Sequence, residues 1–593
     1  MQLKLFKLRF RRRLKKQRKQ VEGLSSQAER QIEHHLIQRA GRFRAVRRFV
    51  VSWMLLFVLL IGCGVWQTAR LSIYYQTLRP VPGGIYSEGL RGSFTTANPI
   101  YATNDVDTMV ARLIFAGLLK YDDNHKLVND LASDYSVDEK GTTYTMHLKP
   151  DLTWQDGHAL TSSDVVFTFQ AIQNPDSRSP LASGWQGINI TAPDARTIIF
   201  TLPSPLASFP HNLTTGIVPE HLLSNIAMAD LRSADFNTSQ PIGAGPFKWQ
   251  AVQVSGTGPA NAQEQIALIP FKYYAGGAPK LKEFIVHAFA SQNELIQAFK
   301  SKQLTTVSGL QEVPADLLND KSVQVHSPLL MAATMVFFKT SNPILSDGKV
   351  RQALVQAAQP NEIIKTIGFK TRPVKEPLLL GQLGYNPAYS QPSPNLAAAK
   401  SLLDQAGWLV GAAGLRSKNG QVLKFTLTAT DTSEYRMVTN ILAQNWQAVG
   451  AKVDIHLQDS QVFTSTLSNH DYDAVLYGIS IGADPDVFVY WDSSQANVLS
   501  PNRLNLSEYK SAKADASLEA GRTRLDPSLR AIKYQPFLQA WQADLPALGL
   551  YQPRLLYLTN GPVYGFNDHS LISPTDRFNN VENWMIRTAK VTN

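Results

Sequence analysis

The hydrophobic rhythm of the chain changes twice. Residues 1–48 are dominated by charged and polar positions, and residues 49–66, FVVSWMLLFVLLIGCGVW, then run for eighteen positions without a charge. Beyond them short apolar segments alternate with turn-forming residues. An unbroken run of that length makes a helix of roughly 27 Å at about 1.5 Å per residue, which matches a hydrocarbon core of about 30 Å. A spacer follows at 67–82, ending at Pro80, Pro82 and the pair Gly83 and Gly84. Residues 143–149 and 197–202 alternate as strands do. Thr161, Ser162, Ser163 and Asp164 form a capping box that opens a helix over 165–172. Residues 204–222 are expected as loop.

The pattern is clearest in the second half. Strand periodicity over 421–429, a helical stripe of Val438, Ile441, Leu442 and Val449 ending at Gly450, a strand over 452–457, a helix over 461–467 and a strand over 472–477 give β-α-β-α-β. Right-handed crossovers of this kind build a parallel sheet, and ligands bind beyond the carboxyl ends of its strands. The loops at that edge are 430–433, 458–460 and 478–486.

Charge separates the leader from the rest. Residues 1–48 hold sixteen of the 58 Lys and Arg but only three of the 47 Asp and Glu, so the remainder carries 42 basic and 44 acidic residues, a net −2. A nucleic-acid binder keeps its positive charge on the folded domain; here it sits on the leader, and no nucleic-acid partner is expected. Basic residues beside an apolar span orient it with the leader in the cytoplasm and contact anionic lipid. Leu60-Ile61-Gly62-Cys63 resembles a lipobox, which makes Cys63 a candidate for lipidation. The length of the leader and the apolar run past Cys63 favour an uncleaved anchor. Cys63 is the only cysteine, so intramolecular disulfides and cysteine-based metal sites are excluded.

Three candidate chemistries compete with simple binding. Gly478-Ile479-Ser480-Ile481-Gly482 matches the nucleophile elbow of α/β-hydrolases, with Asp544 and His569 following in the right order. An elbow needs a helix directly after the serine, however, and Gly482, Asp484 and Pro485 delay one. Gly243-Ala244-Gly245-Pro246 lacks the third glycine and the N–H donors of a phosphate loop, so it reads as a tight turn. The twelve histidines form no ligand set in the sequence, and neither a metal nor a cofactor is expected.

Several motifs in order then resemble a family. Trp154-Gln155-Asp156-Gly157 through Thr161, Asp164, Val165 and Phe167, the turn Pro241 to Phe247, Val350-Arg351-Gln352-Ala353-Leu354, Tyr385-Asn386-Pro387 leading to Gly407-Trp408, Tyr472-Asp473-Ala474 and Asp484-Pro485 are similar to the extracellular solute-binding proteins of peptide and nickel ABC importers, over about residues 86–566. The resemblance implies an α/β, two-lobed periplasmic-binding-protein-like fold with an extra subdomain in lobe 1, preceded by one transmembrane helix. The expected divisions are a cytoplasmic leader at 1–48, an anchor at 49–66, the spacer, lobe 1 from 83–330 and 545–593, and lobe 2 from 331–544.

The implied function is capture of a peptide outside the membrane, as a monomer, and its delivery to an ABC permease. A nickel chelate, oligosaccharide or opine as ligand, and a serine hydrolase using Ser480, are the alternatives. Asp484 and Asp486 are the expected acceptors, with Ser480 beside them on the same loop and Trp185 and Trp491 as walls. Where the family often places an aspartate for a peptide's α-ammonium this chain has Ile481, so either Asp484 or Asp486 takes that role or the ligand carries no free amine there; the alternative for Asp484 is a helix N-cap with Pro485 behind it.

Overall fold

The structure, a computed structural model, describes residues 47–256, 262–411, 414–497, 499–500 and 503–592. All but the last two residues of the basic leader lie outside these. The described residues form two compact units, one of 47–79 with 588–592 and one drawn from 80–587. In the first, a helix runs Arg47–Tyr75, so the expected spacer is helical over its first half. Its stretch Arg47–Arg70 is long and apolar enough to cross a membrane. Ser52 and Thr68 donate their hydroxyls back to the carbonyls of Arg48 and Gly64 at 2.8 and 2.9 Å, which satisfies both hydroxyls within the helix. The side chains of 49–61 and Cys63 are exposed or half-exposed. Strand Gln76–Val81 follows and pairs with the C-terminal strand Arg587–Thr592.

The larger unit holds two lobes with separate cores. Lobe 1 contains a seven-stranded mixed sheet in the order Val323–His326, Tyr557–Asn560, Thr306–Ser308, Ile85–Arg91, Glu283–Phe289, Gln263–Pro270, Phe247–Ser255. Its second sheet, Ala132–Val137, Thr143–Leu148, Thr197–Thr201 and Asn189–Asp194, is antiparallel. Helix Ser162–Gln173 packs against that sheet and opens on the expected capping box. Lobe 2 is a five-stranded sheet in the order Lys452–Gln458, Lys424–Thr430, Ala474–Ser480, Ala332–Phe338, Ala547–Tyr551. Its first three strands are parallel neighbours, as the periodicity of the second half predicts. Ala332–Phe338 is buried at every position, which requires both faces of the sheet to be covered.

The chain leaves the first sheet after His326, enters the second at Ala332, and returns between Tyr551 and Tyr557. These two passages run side by side: Leu330 N donates to Pro553 O at 2.8 Å and Leu555 N to Pro328 O at 2.9 Å, with Leu329 bridged to Arg554. Strand Ala547–Tyr551 thus lies in the second sheet, so the return comes after Tyr551 rather than at Leu545.

The two most distinctive motifs interlock. Gln155 N donates to Gly243 O and accepts Gly243 N on Oε1, each at 3.0 Å. Its Nε2 donates to Phe247 O at 2.8 Å. Gly245 N meets Ile114 O at 2.7 Å, at the end of helix Asp105–Ile114. The backbone is so close here that a Cβ on Gly243 would lie 2.0 Å from Ile114 O. These glycines permit contact between main chains; they do not cradle a phosphate. Gly243→Ala should therefore cost about 3 kcal/mol by chemical denaturation. Gly157→Ala, with no atom within 4 Å of its Cβ but a φ of +93°, should cost about 1 kcal/mol.

Candidate functional site

The lobes meet at the carboxyl edge of the parallel strands, where the sequence pattern points. Asp431 pairs with Arg436. Asp459 caps helix Ser460–Asn469 through the N–H groups of Gln461 and Val462 at 3.0 and 3.1 Å. The third loop, 481–487, faces lobe 1. Across the gap Ser208 Oγ donates to Asp486 Oδ2 at 2.9 Å, Ala207 N donates to Arg522 O at 2.9 Å, and His211 Nε2 lies 3.7 Å from Asp484 Oδ2. Further along, Ser433 Oγ reaches Gln311 Oε1 at 3.4 Å.

Both loop aspartates are already paired within lobe 2. Arg530, on helix Pro527–Asp544, grips Asp484 with two hydrogen bonds of 2.7 Å. Such a bidentate pair is the strongest form of this contact. Burial works against the Arg530 charge, but the bonds and field of Asp484 outweigh it and hold the guanidinium above its ordinary range. Arg522 lies 3.2 Å from Asp486 and stacks over the Phe488 ring at 4.1 Å. Asp484 also accepts Asp486 N at 2.9 Å. The short helix that follows, Phe488–Trp491, has Val487 at its N-cap position and no side-chain cap, so Asp484 folds its own loop and is no N-cap. Its place at the edge agrees with the sequence, while its arginine partner carries no sequence signal.

The tryptophans stand elsewhere than expected. Trp185 stacks on Phe169 at 3.9 Å within the lobe 1 core, and Trp491 packs between Phe337 and Trp541 in the lobe 2 core. Both are essentially inaccessible, 2% and 0% exposed, so they are core side chains in this structure and not walls of a gap. Partly exposed aromatic groups near this edge include Tyr435, Tyr477 and Tyr490. Burial lifts the phenols of Tyr477 and Tyr490 above their ordinary range, that of Tyr490 to about 12. Period-2 alternation in Ala474–Ser480 could have flagged Tyr477; nothing local singles out Tyr435 or Tyr490.

Ser480 ends its strand opposite Ala332, with its carbonyl accepting Tyr490 OH at 2.6 Å. The next two N–H groups, of Ile481 and Gly482, both donate to Met331 O at 3.0 Å. An oxyanion hole needs such donors free. Asp544 accepts Tyr509 OH at 2.6 Å, and His569 Nδ1 lies 3.1 Å from Asn567 O. The three residues of the hydrolase reading thus have separate partners.

On lobe 1, His211 Nδ1 is 2.7 Å from Tyr121 OH. Burial pushes the imidazole below its usual value; Asp484 opposes that shift and Arg530 adds to it. Arg530→Met would leave Asp484 with an uncompensated charge in a largely buried place and should cost about 3 kcal/mol. Pairing it with Asp484→Asn should recover most of that loss, as read by denaturation midpoints in a double-mutant cycle.

Comparison with known proteins agrees with this architecture. The profile for "Bacterial extracellular solute-binding proteins, family 5 Middle" matches residues 126–500. The oligopeptide-binding protein AppA of Bacillus subtilis is 24% identical over 554 residues, covering 90% of this chain and 97% of its own. Its structure in complex with a nonapeptide superposes with a TM-score of 0.70 at 23% identity, over 86% of this chain and all of that one. NikZ of Campylobacter jejuni, solved with Ni(L-His), gives a TM-score of 0.72 at 22% identity, over 85% of this chain and 99% of that one. The same fold thus carries a peptide in one relative and a metal chelate in another. With its ordered motifs, its two lobes and a family profile matched across most of its length, the chain belongs to the bacterial extracellular solute-binding proteins, family 5.

Proposed function

We propose that this protein is the membrane-anchored receptor of a peptide ABC importer, with helix Arg47–Tyr75 as its anchor, its leader in the cytoplasm and lobes 1 and 2 outside. The observation that carries the reading is the pair of passages at 327–331 and 552–556. Two lobes with separate cores, joined by the chain there and meeting again at 207–211 against 484–522 and at Gln311 against Ser433, have the means to hinge and close over a solute. A peptide is held as an added strand through its main chain, beside the carboxyl edge formed by Thr430, Gln458 and Ser480. Bridging waters accommodate its side chains. Peptide as the ligand is supported by the name of the Bacillus subtilis relative.

In this reading Asp484 and Asp486 are closure contacts. Arg530 and Arg522 occupy the places that a ligand's ammonium would need. The bound peptide is therefore anchored by its backbone and by the half-buried tyrosines, and delivery to the permease follows closure, as a monomer.

The direct test is mass spectrometry of solutes released by acid from the full chain purified in mild detergent. Peptides of mixed sequence are expected. A single non-peptide solute would overturn the peptide assignment, and the absence of any solute, with no thermal stabilisation by a peptide library, would overturn the receptor reading.

His211 also sets a pH dependence. Burial holds its imidazole below the ordinary value of about 6.5, against the opposing field of Asp484. The folded chain therefore binds fewer protons there than the unfolded one, so this contribution to stability is fully present above that value and is lost as pH falls below it. Denaturation midpoints should fall from about pH 7.5 to about 5.5, and His211→Gln should remove that part of the fall.

A further inference from the structure

Three side chains outside the interlobe edge converge in a way that the receptor function does not use. Asp156 and His158 come from the turn after Trp154, and His221 from the short helix Glu220–Leu223, far along the chain. Asp156 Oδ2 is 2.8 Å from His221 Nε2 and 3.2 Å from His158 Nδ1. The two imidazoles stack with centroids 4.3 Å apart. One donor atom from each of the three residues lies within 4.8 Å of the others. The sequence shows no spacing that reveals this set; the fold assembles it, contrary to the expectation that the histidines form none.

We propose that Asp156, His158 and His221 bind one divalent first-row transition ion, of which Zn²⁺ is the working example. Two imidazole nitrogens and one carboxylate oxygen suit Zn²⁺, Ni²⁺ and Cu²⁺ far better than Mg²⁺ or Ca²⁺, which favour all-oxygen sets. In tetrahedral zinc sites with bonds of about 2.0–2.1 Å, neighbouring donor atoms stand about 3.3 Å apart. The two carboxylate–imidazole spacings, 2.8 and 3.2 Å, fall short of that by about half an ångström and about a tenth. All three side chains are partly or largely exposed, His158 most of all at 66%, so water can complete the coordination.

The arms are held before any ion arrives. Trp154 N donates to His158 O at 2.8 Å, Gly157 N to Trp154 O at 3.0 Å, and His158 N to Asp156 Oδ1 at 3.1 Å. Gln155 is locked into the Gly243 turn. The helix carrying His221 is fixed by Glu220 N donating to Asp164 Oδ1 at 2.9 Å, the same carboxylate that closes the capping box with Thr161. The buried Trp154 ring stands behind His221, with centroids 6.5 Å apart. Ligands on two rigid segments lose little freedom on binding, so an ion there clamps the turn to the helix and braces lobe 1. The bare alternative is a carboxylate hydrogen-bonded to two imidazoles, with no affinity for metal beyond that of any surface histidine.

Titration separates the two. The full chain, free of any oligohistidine tag and in detergent at pH 7.5, is titrated with ZnCl₂ by calorimetry beside His158→Ala, His221→Ala and their double variant. His34 and His35 in the leader are common to all four, so the difference reports the site. One Zn²⁺ per chain above the double-variant background is expected. Since losing even an outer partner of a metal site costs about 10–100-fold in affinity, each single variant should lose at least as much. Zn²⁺ should raise the melting temperature of wild type but not of the double variant. His158 lies on the surface, so His158→Ala remains interpretable should His221→Ala unfold. Identical isotherms for wild type and His158→Ala would overturn the site, and equal binding of Mg²⁺ would overturn the assignment to transition ions.

Discussion

Two extended segments hydrogen-bonded side by side, 327–331 and 552–556, are the constraint from which the rest of the molecule follows. Each lobe buries its own apolar residues, with one cluster drawn from 333–551 and another from 86–288 together with Phe578, Val581 and Trp584. Among the described residues no shared core therefore fixes the lobes against each other, and packed interiors resist deformation. Relative motion has only the backbone of the two passages in which to occur. A backbone pair tolerates modest twisting because its bonds depend on main-chain atoms alone, whatever the side chains. The sheets on either side are rigid, and the seam between them is the soft place.

What holds the seam on its far side is polar and partly solvated. Ser208 with Asp486, Ala207 with Arg522, and His211 beside Asp484 are weak contacts one at a time, because partly exposed hydrogen bonds and ion pairs exchange with water at little net gain. That weakness suits the proposed closure, which must also reverse. The stronger interaction, Arg530 on Asp484, lies wholly within lobe 2 and does not depend on lobe 1. It sets the shape of loop 481–487 so that the cross-lobe contacts form without first ordering the loop. Lobe 1 has a comparable internal anchor in the buried pair Arg577 and Glu88, at 2.6 Å, surrounded by Tyr86, Tyr557, Thr306 and Ser308. Buried charges of this kind hold geometry more than they add stability.

Much of this was legible in the residues. The alternation and turn signals of 421–480 fix the parallel strands because hydrophobic period is a local property, and the observed elements Lys424–Thr430, Ser433–Gln447, Lys452–Gln458, Ser460–Asn469 and Ala474–Ser480 follow it closely. The capping box at Thr161 and Asp164 was readable for the same reason, since its partners lie within one turn. The motifs around Gln155 and Gly243 were readable as motifs, but not as a single knot. Their glycines are needed because distant backbones meet at Ile114, and nothing local announces that.

The sequence by itself determined the class of fold, the apolar helix, the strand edge at which to look and the family. These rest on composition, periodicity and order along the chain, which folding does not alter. Only the tertiary structure decided which side chains face that edge. Trp185 and Trp491 carry amphipathic rings that suit a pocket or a core equally well, and packing placed both inside. Asp484 and Asp486 were found at the edge but given arginine partners from Arg530 and Arg522, and Asp156, His158 and His221 were drawn together from separate segments. Contacts between residues remote in sequence are set by how whole elements pack, and that information is spread over every residue of the core rather than written beside the ones that meet.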